Sequence, residues 1–85
     1  GMFIAQMEDK LAELNSALEK GDHEATRFVS HSIKGNAGDV GAVAVHKMAA
    51  ELEKLAKAQN LDDIQAVMPL FTATISATLA AMGEE

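Results

Sequence analysis

The chain has no cysteine, no tryptophan and no tyrosine, and a single proline. The missing cysteines exclude disulfides and thiolate metal centres and fit a reducing cytoplasm, which is the compartment expected. Aromatics are only 4% of residues although apolar residues reach 48%, so the apolar mass is mostly Ala, Leu, Val and Met, a mixture that favours helices. Positive charge is also scarce: 7 Lys and Arg against 13 Asp and Glu give a formal net charge of −6. That argues against nucleic acid as a partner, because a phosphate backbone needs clustered cations, and it suits a protein partner with a basic rim. No uninterrupted apolar run approaches the roughly 18 residues of a membrane span, so no membrane association is expected. No basic segment leads into a hydrophobic block, as a signal peptide would require.

The 85 residues suit one domain, 1–85, with Gly1 ahead of Met2 read as a cloning remnant, and a monomer is expected. A core this small needs regular, well-packed elements. Phe3, Met7, Leu11, Leu14 and Leu18 lie on one helical stripe. Lys20 and Gly21 end that helix, and Asp22 stands where an N-cap belongs, with Glu24 in the first turn after it. The second helix has a predicted core face of Ala25, Phe28, Val29, Ser32, Ile33 and Asn36, and Asp39, Val40 and Gly41 read as the connection that follows. Val45, Met48, Ala49, Leu52, Leu55 and Ala56 form the third stripe, with Glu53 and Lys57 as an i,i+4 pair and Asn60 closing the helix. Ile64, Met68, Phe71, Ile75, Leu79 and Met82 form the fourth, with Gly83 beyond its end. Pro69 is expected to kink that helix or to start a new one. The prediction is an all-α, antiparallel up-down-up-down four-helix bundle with helices near 3–20, 22–38, 42–59 and 61–82. No segment alternates with period two, and the helices differ too much for a repeat array.

The stretch His31-Ser32-Ile33-Lys34-Gly35-Asn36-Ala37-Gly38 is unusual for a structural helix. At about 100° per residue, His31 points away from the predicted core, and Glu24, Arg27, Lys34, Gly35 and Gly38 share its outer side. Glycines inside a helix cost about 1 kcal/mol each relative to alanine, a cost usually tolerated for the close approach of another group. A solvent-facing imidazole beside a bare patch and a mobile cation suits phosphoryl transfer, where positioning and charge neutralisation supply most of the catalysis. Spacing alone leaves this reading level with an ordinary surface histidine near a frayed helix end.

His31-x-x-Lys34-Gly35, followed by Ala37-Gly38 and Val40-Gly41-Ala42, resembles the signature of the histidine phosphotransfer (HPt) domain family. Gly21-Asp22 ahead of the histidine and Leu52-Glu53 after it stand at the family's spacings. His31-Ser32-Ile33-Lys34-Gly35 is also similar to the phosphoacceptor domain of chemotaxis-type histidine kinases, a variant of the same bundle. The resemblance implies that His31 is the phosphoacceptor, that Lys34 neutralises phosphoryl oxygens, and that Gly35 leaves room for the partner. It implies that Glu53 hydrogen-bonds the far ring nitrogen of His31; the competing reading of Glu53 is a solvated helix charge paired with Lys57. Gly35, Gly38 and Arg27 are the expected partner-docking residues.

The resemblance further implies a phosphocarrier of a two-component phosphorelay, with response-regulator receiver domains and a sensor or hybrid histidine kinase as partners. No cofactor and no metal site of its own are expected, Mg²⁺ being supplied by the receiver. His23, His31 and His46 lack the Glu-x-x-His spacing of a di-iron bundle. A catalytic kinase is disfavoured because Gly35-x-x-Gly38-x-x-Gly41 lacks the Gly-Lys-Ser/Thr ending of a P-loop. Gly35-Asn36-Ala37-Gly38 fits the GXXG loop of an RNA-binding KH domain, but the acidic charge and the absence of strand patterns oppose that reading. A helical adaptor that binds signalling proteins without being phosphorylated is the remaining rival.

Overall fold

The computed structural model describes residues 2–82. The readings of Gly1 and Gly83 lie outside the described residues. Four helices follow one another: α1 (Met2–Lys20), α2 (His23–Asp39), α3 (Val43–Lys57) and α4 (Leu61–Ala81). Each boundary lies within two residues of the predicted one, and the described residues contain no strand. The short turns force each helix to run back along its predecessor. Packing of α1 on α2, α2 on α3, α3 on α4 and α4 on α1 closes an antiparallel bundle. Its dimensions of 35 × 20 × 20 Å are those of helices about 30 Å long lying side by side.

The turns follow from local chemistry. Gly21 adopts φ +66° and terminates α1; its N–H donates to the Leu18 carbonyl and the N–H of Asp22 to the Ala17 carbonyl. Asp22 then caps α2 by accepting from the N–H of Ala25 at 3.0 Å, an interaction of about 1 kcal/mol. Gly41, at φ +74°, ends α2 by the same device. At the end of α3 the left-handed residue is Gln59, at φ 59°. Asn60 belongs to the next helix: it caps α4 by accepting from the N–H of Asp63. Asn60 also closes α3 as expected, its N–H donating to the Leu55 carbonyl at 2.8 Å.

The core comprises Met7, Leu14, Leu18, Val29, Ile33, Ala37, Val45, Ala49, Leu52, Ala56, Ile64, Met68, Phe71 and Ile75. Each large side chain fully buried here contributes about 1.5–3 kcal/mol. On α2 the buried stripe is Thr26, Val29, Ser30, Ile33 and Ala37; it shares Val29 and Ile33 with the predicted face but is rotated away from Phe28, Ser32 and Asn36. Phe28 is 64% exposed, and Ser32 and Asn36 are only half buried. The buried face of α2 carries the small residues Ser30 and Ala37 and that of α3 carries Ala49 and Ala56, which suits close packing of the two helices.

Helix α4 runs unbroken through Pro69. Pro69 and Gln65 are both exposed, so water can satisfy the carbonyl of Gln65 that loses its amide partner. By length and average hydropathy α4 is long and apolar enough to cross a membrane, because Thr and Ser interrupt its apolar runs without adding charge. Its Ile64, Met68, Phe71 and Ile75 are buried in the bundle core.

Candidate functional site

Helices α2 and α3 face each other along two antiparallel stripes, Arg27-His31-Lys34-Gly38 and His46-Ala50-Glu53-Lys57. The register pairs opposite ends. Arg27 and Lys57 line one shallow pocket, His31 meets Glu53, and Gly38 meets His46.

Glu53 is the centre of this seam. It is the one carboxylate buried among the described residues, at 6% exposure. Its Oε2 lies 3.0 Å from His31 Nδ1, and its Oε1 lies 2.8 Å from Lys34 Nζ. Lys57 Nζ is farther, at 4.0 Å from Oε2. The hydrogen bond from the Lys34 ammonium holds the Glu53 carboxyl below its ordinary value; burial opposes this, while the charge of Lys34 and the bond and charge of His31 add to the lowering. Glu53 is therefore ionised at neutral pH and can only accept. His31 must present Nδ1–H to it, which in the neutral ring leaves the lone pair on Nε2. The His31 side chain is 63% exposed, so that nitrogen is open to an incoming group. The reading of Glu53 as a solvated charge paired with Lys57 does not describe this geometry.

The other sequence-predicted residues fall into place around the ring. Arg27 lies one turn before His31 and pairs with Glu24 at 3.5 Å, at the surface rather than with the Glu53 seam. Gly35 lies one turn after His31, and a Cβ placed on it would meet nothing within 4 Å. Gly38 is different: a Cβ there would lie 3.2 Å from His46 Nδ1, so its missing side chain admits the neighbouring helix.

Two residues of this region were not singled out in the sequence. Phe28 lies one turn before His31 on the same outer face and is exposed. The sequence stripe places Phe28 in the core, and the rotation of the buried face toward Thr26, Ser30 and Ala37 turns it outward. His46 donates from Nδ1 to the Lys34 carbonyl at 2.9 Å. Its spacing of seven residues from Glu53, which places both on one helical face, was the available signal.

The arrangement offers a nucleophilic nitrogen in solvent, a buried carboxylate that fixes its tautomer and can balance positive charge on the ring, and an ammonium bonded to that carboxylate. Among the described residues no three His, Asp or Glu side chains group as metal ligands would. The family model of the Hpt domain matches residues 1–82. No curated protein matches the chain, and no solved structure does.

Proposed function

The chain belongs to the Hpt domain family, whose role is phosphotransfer in phosphorelays, and from that premise we propose that His31 is the residue that carries the phosphoryl group. The observation that supports this most is the exposed His31 ring held through Nδ1 by the buried Glu53 carboxylate. In the proposed step the Nε2 lone pair attacks the phosphorus of an aspartyl phosphate on a receiver domain. The N–P bond forms as the P–O bond to the aspartate breaks, and the bond pair leaves with the carboxylate. The ring keeps its Nδ1 proton and becomes cationic, and Glu53 is the counter-charge already in place. Transfer to a second receiver reverses the same step. Lys34 turns from Glu53 toward the phosphoryl oxygens as they arrive. Mg²⁺ belongs to the receiver.

The docking surface is the outer side of α2, where Arg27, Phe28, His31 and Gly35 are neighbours at helical spacing. A sensor or hybrid kinase is the upstream partner, and the domain acts as a carrier that does not phosphorylate itself from ATP. The test is incubation with a phosphorylated receiver domain. His31→Gln should abolish labelling, while His23→Gln and His46→Gln should still be labelled. The label should be lost in acid and survive alkali, as a phosphoramidate does. Acid-labile label remaining in the His31 variant, or self-labelling with ATP and Mg²⁺, would overturn the reading.

A further inference from the structure

His46 stands outside the chemistry described so far, yet it touches that chemistry's frame twice. Its Nδ1–H donates to the carbonyl of Lys34 across the α2–α3 seam at 2.9 Å. Its ring also occupies the space above Gly38, where a Cβ would come within 3.2 Å of Nδ1 and 3.5 Å of Cε1. Lys34 is thus held at both ends by α3: the backbone carbonyl by His46, and the ammonium by Glu53 at 2.8 Å. His46 and Glu53 are seven residues apart on α3 and project toward α2 from one face. Because a carbonyl oxygen can only accept, Nδ1 carries the proton of this bond.

We infer that His46 is a positioning residue: seated on Gly38 and bonded to the Lys34 carbonyl, it sets the height of the Lys34 turn of α2 over α3, and so keeps Lys34 and His31 in register with Glu53. This rests on the phosphocarrier reading for its functional consequence, but not for its geometry. Without the strut, the turn bearing Gly35 and Gly38 has two poor helix formers, and its backbone loses the side-chain hydrogen bond that ties it to α3. Lys34 would then drift from Glu53, and the ring of His31 would lose its fixed orientation, the loss that near-attack geometry tolerates least.

Three variants test the inference with two readouts. His46→Leu keeps apolar bulk and removes the donor. His46→Asn keeps a donor near the Nδ1 position. Gly38→Ala presses on the ring from the α2 side while favouring the helix. The first readout is the titration midpoint of the Glu53 carboxyl by ¹³C NMR, which needs no phosphorylation. The second is the rate at which phosphoramidate, a small donor that requires no docking, labels His31. His46→Leu and Gly38→Ala should move the Glu53 midpoint up toward the ordinary carboxyl value and slow labelling on the order of 10-fold. His46→Asn should restore both toward wild type, which a purely packing role would not do. An unchanged Glu53 midpoint and labelling rate in both His46→Leu and Gly38→Ala would overturn the inference. A shifted midpoint in these variants, with wild-type His31 unlabelled by phosphoramidate and by a phospho-receiver, would uphold the strut and overturn the phosphocarrier reading instead.

Discussion

Lys34 and Glu53 are bound across two helices, Nζ to Oε1 at 2.8 Å, with the Glu53 side chain buried and the Lys34 side chain 29% exposed. This pair dominates the lowering of the Glu53 carboxyl, and so it ties folding to pH. A carboxyl whose folded value lies below its unfolded value stabilises the fold fully above the ordinary value of 4.5. That contribution is lost as pH falls below 4.5 and through the lower folded value. Glu53→Gln removes the ionisation, keeps the shape, and should cost about 1–3 kcal/mol near pH 7. Urea unfolding at a series of pH values should show the gap between wild type and variant narrowing below pH 4.5. A gap that stays constant into acid would mean that Glu53 ionisation does not contribute to stability.

The four helices were legible because their stripes, caps and glycines agree. Met7, Leu14 and Leu18 on α1, and Ile64, Met68, Phe71 and Ile75 on α4, are buried as read. Asp22 and Gly21 do what their chemistry requires. On α2 the predicted Val29 and Ile33 are buried, but the face is rotated, with Thr26, Ser30 and Ala37 inside in place of Phe28, Ser32 and Asn36. Thr26 reaches the core by donating its hydroxyl to the Asp22 carbonyl, a bond that composition does not announce. The sequence places His31 outside, and its bond to Glu53 follows only from the family resemblance, while the Lys34–Glu53 pair is not expected at all, since no local pattern fixes which α3 residue lies opposite which α2 residue. The spacing of His46 from Glu53 marks only their shared face; its partner, a backbone carbonyl, leaves no mark in the sequence.

Phe28 carries a large apolar side chain in solvent, one turn from His31. Truncating it removes little buried area, and alanine is the better helix former, so Phe28→Ala should leave stability within about 0.5 kcal/mol of wild type. If the outer side of α2 is the docking face, the same change should raise the KM for a phospho-receiver and leave labelling by phosphoramidate unchanged. Aromatic side chains are favoured anchors at interfaces because they bury much area at low entropic cost. Unchanged KM would remove Phe28 from the interface.

Ser30 is fully buried, and its hydroxyl has no hydrogen-bond partner. A buried hydroxyl without a partner forfeits its bonds to water, a cost of about 1–3 kcal/mol. Ser30→Ala deletes that oxygen, leaves a gap of one atom, and improves helix propensity. The variant should be more stable by about 1 kcal/mol, raising Tm by roughly 4–8 °C for a chain of this size. Phosphotransfer should be unaffected, because Ser30 faces the core. A lower Tm would show that the hydroxyl has a bound water or a packing role worth more than its desolvation.

Gly35 and Gly38 differ by one turn of α2 yet face different surroundings, and substituting each with a bulky residue separates docking from packing. A side chain at Gly35 would enter open space. Gly35→Leu should therefore fold, with stability equal to wild type or higher by up to about 1 kcal/mol from helix propensity. It would place four extra carbons one turn from the His31 ring, on the surface a receiver must cover. A partner held off by about 1 Å can lose on the order of 100-fold in rate, so transfer from a phospho-receiver should fall steeply. Phosphoramidate, which needs no docking, should label this variant nearly as well as wild type. Gly38→Leu, in contrast, should destabilise the fold, because its side chain would displace His46 from the α2–α3 seam. Thermal unfolding and the two labelling rates, measured together, give the answer. If Gly35→Leu accepts phosphate from a receiver at the normal rate, the bare turn beside His31 is not where the partner sits, and the docking face must be sought elsewhere around the ring.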